Sequence, residues 1–461
     1  MDTDKGIHIG RSDSSLGSFV QEGGLVEAVG RFYPGYQGYG AYELLGGRLV
    51  LPYGAANTRY RLAVQNNATG LFYQRGGAMV AAANGLNGSF HFEIGSGKVN
   101  ANALYYADGG VARIGVEIKI LSGAESSDAI TYNEMTVAGS AVVETPERVY
   151  LRGQSYPNGA SILNLNSGGL LRAYNVQLGR AATGSGYSFF NADGGCLELT
   201  NSGDVRGLLE TVSGNTVIYE GGFEVRTSGE AGTTRMKGHL RGAKGWGVES
   251  VSIVSSGSGY LAPPRVIISG GSGSNATAVA FIDHVTGAVT GAVVTCRGEG
   301  YTPGDTLTVA ISGGGGSDAT ATATLKQNHT GPLVKSGAKR LLIGDQPLFD
   351  GEYHVREGLL SQASEGVDVG APHVTAIYVG GENAALQLGS GGSAATNNTP
   401  ARWDLVNPEA TMRLGGECGG GTFTLACGAS DTVFRQTVSK LELGLGRNAL
   451  NTTVQTPANG A

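Results

Sequence analysis

The chain has 461 residues, of which 79 are glycine, and only 15% are charged against a usual share of about 25%. The 32 lysines and arginines are outnumbered by 38 acidic residues and form no strongly basic block, so a nucleic-acid partner is not expected. Glycine has no three-residue period, which excludes collagen, and the apolar residues fall largely in alternating runs, which argues against disorder.

Glycine pairs recur in front of alternating apolar runs through the first half of the chain, as in LLGGRLVLP and NSGGLLRAY. The pairs begin at Gly23, Gly46, Gly76, Gly109, Gly168, Gly194 and Gly221. The intervals between neighbouring copies include 23, 30, 26 and 27 residues. A recurrence of roughly 20 to 30 residues is the sequence signature of stacked structural repeats.

The second and fourth residues after most pairs are apolar, whereas the residues between them are often charged. In NSGGLLRAY the apolar residues are Leu171 and Ala173, with Arg172 between them, and in ADGGCLELT Leu197 is followed by Glu198. This period of two predicts strands with one buried face. In GGFEVRT the apolar residues have the opposite phase, which a one-residue slip in register would accommodate.

These short strands gain pairing partners and a continuous core only by stacking on the copies before and after them, about 4.8 Å apart. Helical patterns are almost absent, and glycine permits the positive φ that a sharp corner between strands requires. We therefore predict an all-β fold, a right-handed parallel β-helix. A β-sandwich array is the alternative, but the NG and DG turns that it needs do not keep the period of the repeat.

A different repeat interrupts the first. VESVSIVSSGSGYLAPPRVIISGGSGSNATAVAFI is echoed by VTGAVVTCRGEGYTPGDTLTVAISGGGGSDATATATL, so that Gly259-Tyr260 matches Gly300-Tyr301. Each copy of about 40 residues predicts three strands joined by tight turns. The expected domains are a β-solenoid over 1–243, an inserted β module of two repeats over 244–327, and the continued β-solenoid over 328–461.

The segments FNADGGCLEL, LNLNSGGLLRA and KLELGLGRNALNT together resemble passenger regions of autotransporter-type bacterial surface proteins, in particular those with autotransporter-associated β-strand repeats. The resemblance covers most of the chain outside the insert. It implies a right-handed β-helix that is exported to the cell surface for adhesion or display. The GxGY…ISGGxGS copies resemble small modules of large bacterial surface proteins and phage fibres.

Some β-helices are polysaccharide lyases or hydrolases, which place two or three acidic residues on adjacent coils of one face. Here the acidic residues are scattered. Asp108 and Asp193 both precede a glycine pair, but a corner aspartate usually bonds its own backbone in a turn. The seven histidines show no HxH or HExxH spacing, and no GxSxG, Walker or dinucleotide motif occurs. We therefore predict no catalytic residue, no metal site and no cofactor.

The segment FYPGYQGYGAYELL carries four tyrosines at every third position, namely Tyr33, Tyr36, Tyr39 and Tyr42. Proline and glycine within it argue against a helix, so we expect an extended loop over 32–42, with its tyrosines exposed or stacked on the flank of the solenoid. Exposed tyrosines bind sugars and proteins well, which makes these four candidate binding residues. The alternative is a loop packed against the end coil or a neighbour.

Three further observations concern the cysteines and the cellular location. Cys418 and Cys427 are the only close pair among four cysteines, and they are either a local disulfide or two unrelated small residues. No apolar stretch approaches the ~18 residues needed to cross a bilayer, so no membrane insertion is expected. The polar opening MDTDKGIHIG shows no signal peptide, so either the protein is cytoplasmic or the export signals lie outside this chain. The composition favours the second alternative.

The expected function is that of an extracellular structural or adhesive protein on a bacterial cell surface. A carbohydrate-active β-helix enzyme and a phage tail fibre or spike segment are the alternatives. The expected partners are glycans or proteins of a host or neighbouring cell, or further copies of the chain. Self-association would occur head to tail, because a solenoid leaves unpaired backbone groups at its end coils.

Overall fold

Every regular element that the structure describes is a β-strand, which confirms the all-β class. In this part of the chain, no helix has the length and apolar character needed to cross a bilayer. The computed structural model describes residues 6–52, 59–82, 91–96, 98, 100–122, 131–153, 159–178, 187–200, 216–228, 233–236, 240–344, 348–362, 372–381, 383–388, 406–416, 419–427 and 437–454.

The strands are short, apart from a few of ten to thirteen residues. The first eighteen are β1 (Gly6–Ile9), β2 (Leu16–Gln21), β3 (Leu25–Glu27), β4 (Arg31–Pro34), β5 (Tyr39–Leu44), β6 (Arg48–Leu51), β7 (Arg59–Leu62), β8 (Thr69–Ala81), β9 (His91–Ile94), β10 (Asn102–Ile114), β11 (Glu117–Ser122), β12 (Thr131–Val137), β13 (Val142–Glu144), β14 (Arg148–Gly153), β15 (Gly159–Asn166), β16 (Leu170–Ala173), β17 (Asn175–Leu178) and β18 (Tyr187–Asp193). The next eleven are β19 (Cys196–Leu199), β20 (Thr216–Ile218), β21 (Phe223–Thr227), β22 (Thr233–Met236), β23 (Leu240–Gly242), β24 (Trp246–Ser258), β25 (Arg265–Ser269), β26 (Ser274–Asp283), β27 (Ala288–Glu299), β28 (Thr308–Ser312) and β29 (Ser317–Gln327). The last ten are β30 (Leu333–Ser336), β31 (Arg340–Ile343), β32 (Glu352–Val355), β33 (Leu359–Gln362), β34 (Ala376–Val379), β35 (Ala385–Leu388), β36 (Thr411–Leu414), β37 (Thr422–Cys427), β38 (Lys440–Leu443) and β39 (Ala449–Val454).

The chain divides into two compact units. Unit 1 comprises residues 1–172, 178–191 and 243–329, and unit 2 comprises residues 173–177, 192–242 and 330–461. Unit 1 contains parallel strands and one antiparallel sheet, whereas the strand pairs described within unit 2 are parallel.

Parallel ladders run through unit 1 in three rows. One is β1-β4-β7-β9-β11-β14, a second is β2-β5-β8-β10-β12-β15, and a third is β3-β6-β8-β10-β13. The long strands β8 and β10 belong to two rows, because they continue through the corner at which the other strands end. Each strand therefore pairs with strands about one sequence repeat before and after it.

Unit 2 has two main parallel rows, β19-β21-β30-β32-β34-β36-β38 and β22-β31-β33-β35-β37-β39. In the first row, Phe223 of β21 pairs directly with Leu333 of β30. A strand that precedes the insert therefore pairs with the first strand after it, and the parallel row continues without interruption.

The expected inward positions form the core. Leu171, Ala173 and Leu197 are fully buried, and the opposite phase of GGFEVRT is resolved by register, because Val225 pairs with Leu197 and is also buried. The expectation that the intervening charged residues are solvent-exposed is wrong for Glu198, which is only 9% exposed. Its carboxylate accepts a hydrogen bond from Ser228 Oγ at 2.8 Å and lies beside Arg226.

The glycine pairs form the corners, as expected, although in β8 and β10 the strand continues through the corner. Gly24, Gly47, Gly77 and Gly110 have φ of 69°, 75°, 63° and 76°, which is the left-handed region that favours glycine. They also approach one another closely, since a Cβ on Gly47 would overlap the backbone of the preceding corner at Gly23 and Gly24. Both the conformation and the space therefore require glycine at Gly47.

Aromatic rings stack along the second parallel row. Phe19, Tyr42, Phe72 and Tyr105 occupy paired positions of β2, β5, β8 and β10. Successive ring centroids are 5.0, 5.5 and 5.3 Å apart, close to the spacing of paired strands. The predicted loop over 32–42 is therefore wrong in its local structure: β4 and β5 occupy most of it, and only a short turn around Gly35 separates them.

The segment 246–327 folds as a six-stranded antiparallel sheet in the order β24-β29-β28-β25-β26-β27, which we call the antiparallel module. Its interior contains Val248, Val251, Ala278 and Tyr301. Because side chains alternate along a strand, Val266 and Ile268 of β25 pack inward on this cluster and Arg265 and Ile267 lie on the other face.

Candidate ligand-binding site

The two sequence repeats of the antiparallel module pack reciprocally. The ring of Tyr260 covers Gly316 of the second repeat, and the ring of Tyr301 covers Gly273 of the first, so closely that a Cβ on either glycine would overlap the ring. The matched pairs also share backbone conformation, since Asn275 and Asp318 have φ of 67° and 65°. The module is therefore a pseudo-symmetric pair of equivalent halves.

The module docks onto the parallel strands of unit 1 through polar and aromatic contacts. Tyr39 Oη donates to the Pro263 carbonyl at 2.6 Å, and Asn166 Nδ2 donates to the Thr295 carbonyl at 2.9 Å. The guanidinium carbon of Arg75 lies 4.1 Å from the ring centroid of Phe281. These contacts seat the module on the outer face of β5, β8 and β15.

Glu43 and His284 form a further contact of this docked surface. Glu43 Oε1 lies 3.0 Å from His284 Nε2, and the glutamate is only 4% exposed. Burial raises the pKa of Glu43, while His284 opposes that rise. A carboxyl group from β5 thereby contacts the imidazole of a histidine from the turn after β26.

A cavity of about 320 Å³ lies between the module and the parallel strands of unit 1. Its floor consists of outward residues from three paired strands, two residues from each, namely Leu71 and Tyr73, Asn102 and Leu104, and Tyr132 and Glu134. Its roof is formed by residues 264–270 and 273–278, where β25 and β26 diverge after pairing only at Arg265 and Val266. This volume is at the lower end of the range for small-molecule sites.

Glu134 is held by donors from both sides of the cavity. Its Oε1 accepts from Thr136 Oγ1 and Asn164 Nδ2, each at 2.8 Å, and from Thr277 Oγ1 of the module at 3.4 Å. Burial raises the pKa of the Glu134 carboxyl, even though these donors and Thr295 lower it. The carboxyl is thus fixed in place and shifted towards its neutral form.

Tyr132 and Tyr73 both line the cavity, but they differ in solvent exposure. Tyr132 is 45% exposed, so its ring is available to a ligand. Tyr73 is fully buried, and among the described residues its hydroxyl has no hydrogen-bond partner. Apolar and aromatic walls with a few fixed polar groups are typical of small-molecule sites.

The four predicted tyrosines do not form one cluster. Tyr33 and Tyr36 stack with centroids 5.6 Å apart beside His8. Tyr42 is fully buried and donates to Gln21 Oε1 at 2.6 Å. Only Tyr39 contacts the antiparallel module, and it does so as a docking residue.

The remaining site predictions concern cysteines and metals. Cys418 lies outside the described residues, as does the side chain of Cys427, so their disulfide remains a prediction. Within the described part of the chain, no three His, Cys, Asp or Glu side chains lie close enough together to hold a metal ion.

The residues of the cavity were not predicted from the sequence, because the inserted module was assigned no binding residue. One signal was available. Arg265 is the single charged residue of RVIIS in β25, and the equivalent strand of the second repeat, TVAIS, begins with Thr308. A charge present in only one of two matched copies indicates that the copies differ in role.

Comparisons with protein-family models, with curated proteins and with solved structures found no match to this chain.

Proposed function

We propose that the chain is an extracellular, adhesive surface protein that binds saccharides of another cell in the cavity of unit 1, without turnover. The cavity carries this proposal, because an exposed aromatic ring beside fixed polar groups suits a sugar, which has an apolar face and a hydroxyl-bearing edge. Protein partners on such a surface are the second class of ligand.

The fold that we propose for the parallel part is a right-handed β-helix, over 1–243 and 328–461, with the segment 244–327 inserted. The in-register parallel rows at the spacing of the repeat support it. A right-handed sense is supported by the strong preference of parallel strand connections for that hand. The glycine corners and the resemblance to autotransporter passengers support export to the cell surface.

The lining of the cavity favours binding over glycoside hydrolysis. Among its described residues, Glu134 is the single carboxylate, whereas hydrolysis generally uses a pair of them. Glu134 is also already engaged with Thr136 and Asn164. A β-helix lyase or hydrolase is therefore the less favoured alternative.

A glycan array followed by calorimetry on the full chain tests the proposal. Tyr132→Ala should lower affinity for the best saccharide about tenfold or more, because stacking on the exposed ring is lost. Tyr36→Ala, a tyrosine of the predicted cluster outside the cavity, is the matched control and should leave affinity unchanged. A loss of affinity with Tyr36→Ala alone would mean that the saccharide binds outside the cavity. Cleavage of the glycan would overturn the non-enzymatic function.

Head-to-tail self-association is a second candidate, favoured by exposed leucines. Leu443 and Leu450, on β38 and β39, are 65% and 58% exposed, and Leu25, on β3, is 64% exposed. In the described chain each of these strands pairs on one edge only. A parallel strand of another copy could add to such an edge.

Sedimentation velocity at several concentrations tests self-association. Leu443→Lys with Leu450→Lys should abolish concentration-dependent assembly, since both place a charge on the exposed edge. Leu261→Lys, on a 64% exposed leucine of the antiparallel module, is the control. A wild-type chain that stays monomeric would exclude this candidate, and a closed trimer would instead favour a phage fibre or spike.

A further inference from the structure

Two hydrogen-bond donors of the cavity lack acceptors. The hydroxyl of Tyr73, a fully buried residue, is unpartnered among the described residues. Arg265 lies partly buried on the roof, and no described carboxylate pairs with it. Two arginines of unit 1 differ in this respect, since Arg75 has Asp108 at 3.4 Å and Arg113 has Glu144 at 2.6 Å.

An arginine without a counter-ion in a partly buried site is unfavourable unless a ligand supplies the anion. Burial lowers the pKa of Arg265, which reports the desolvation of its guanidinium. A planar guanidinium has the geometry to bind a carboxylate with two parallel hydrogen bonds. The cavity therefore offers an anion site next to an apolar floor of Leu71 and Leu104.

The pseudo-symmetry of the antiparallel module points to the same place. In the second half, side chains of the parallel strands pack against the turn after β28. The ring of Tyr39 lies against Gly313, and the side chain of Leu16 lies against Gly315. In the first half, the equivalent turn at Gly270 borders the cavity. One half thus packs against a tyrosine side chain, and the matching half borders a space of ligand size.

The carboxyl group of Glu134 repels an anionic ligand only weakly. Its Oε1 is directed at Thr136 and Asn164, and burial raises its pKa, which favours the neutral carboxyl. The exposed ring of Tyr132 supplies a stacking surface for the apolar face of a pyranose. Guanidinium, phenol and aromatic ring together match a sugar that carries a carboxylate.

We propose that the cavity selects acidic sugars, with Arg265 binding the carboxylate and Tyr73 donating a further hydrogen bond. The inference rests on the proposed saccharide-binding function and specifies its ligand class. A uronic acid and a sialic acid share the recognised chemistry, a carboxylate on a pyranose ring.

Isothermal calorimetry with the full chain compares two acidic probes with neutral matches, namely sialyllactose with lactose and trigalacturonate with galactotriose. The wild-type chain should bind at least one acidic probe about tenfold or more tightly than its neutral match. Arg265→Gln should reduce the acidic affinity to the neutral level while leaving the neutral affinity within about twofold. Tyr73→Phe should cost the acidic probe about threefold to tenfold.

Arg11→Gln, an exposed arginine away from the cavity, is the matched control and should change neither affinity. Arg265→Lys keeps the charge and should retain part of the preference for acidic sugars. If Arg265→Gln does not fold, this variant and the salt dependence of wild-type binding test the inference instead. Equal affinity for acidic and neutral sugars would overturn the acidic selectivity but leave the proposed function standing. Absence of binding by all four probes and on the array would overturn both.

Discussion

The hydroxyl of Tyr39 donates a hydrogen bond to the carbonyl of Pro263, 2.6 Å away and 224 residues later in the chain. The tyrosine belongs to a parallel strand and the proline precedes β25 of the antiparallel module. This bond fixes the end of β25 next to Arg265, so docking of the module and the shape of the cavity depend on each other.

Tyr39→Phe should lower the free energy of unfolding by about 1 kcal/mol, because the partly buried Pro263 carbonyl loses its donor. Hydrogen exchange should rise first at β25 and the residues that precede it. Tyr36→Phe is the control, since Tyr36 stacks on Tyr33 through its ring. Equal effects of the two variants would show that the hydroxyl of Tyr39 has no special role in docking.

Gly47→Ala should destabilise the fold by about 2 kcal/mol or more, because alanine at φ 75° is strained and its Cβ would overlap the neighbouring corner. Gly23→Ala is the matched control. A Cβ at Gly23 meets nothing within 4 Å, so this variant should be close to neutral. Urea unfolding of both variants measures the difference, and similar midpoints would contradict the described corner.

Leu197→Ala should cost about 2–5 kcal/mol, since it leaves a cavity between paired strands. Arg172→Ala should cost under about 1 kcal/mol, because its ion pair with Glu144 is partly exposed. Glu198→Ala should fall between them, at about 1–3 kcal/mol, because it removes a buried carboxylate that accepts from the Ser228 hydroxyl and lies beside Arg226. A different order in chemical denaturation would mean that the inward and outward positions are misassigned.

Lys335 should make stability depend on pH in the alkaline range. It is fully buried in β30, in register with Val225 and Val355, and its Nζ donates to the carbonyls of Ser336, Gly337 and Glu357. Burial lowers the pKa of Lys335 to about 8. The unfolded chain, with a lysine pKa of about 10.4, therefore binds more protons between these values, and the free energy of unfolding rises with pH across them.

The test compares wild-type chain with Lys335→Met at pH 7.5 and pH 10, so that contributions from other titrating groups cancel. The stability difference should move in favour of the wild-type chain by about 2 kcal/mol as the buried ammonium loses its proton. Lys339→Met, four residues further along, is the control. A difference that stays constant with pH would mean that Lys335 titrates as an ordinary exposed lysine.

The period-two pattern predicted the strands well where one face is buried and the other is not, as at Leu171 and Arg172. It failed for 32–42, because a three-residue tyrosine spacing interrupted by glycine and proline is typical of a loop. The sequence does not show that Tyr42 stacks on rings of other strands. The burial of Glu198 was likewise not predicted, since it depends on a contact with Ser228 in the next repeat.

The candidate site lay beyond sequence reasoning for a related reason. Its floor comes from three strands that each read as ordinary alternating runs, and its roof from a segment more than a hundred residues later. Local patterns predict which residues face outward, but they do not predict which distant segment covers them. Only the asymmetry between Arg265 and Thr308 within the duplicated repeat carried a usable signal.

The docked module also changes how unit 1 should unfold and fold. In a parallel stack each layer contacts only its neighbours, so layers can open separately. The module bonds to Tyr39 on β5, Glu134 on β12 and Asn166 on β15, and so it connects β5 to two strands that do not pair with it. We expect it to turn a series of local openings into one cooperative transition. Because its residues follow the strands that it binds, its docking should be a late and slow step of folding.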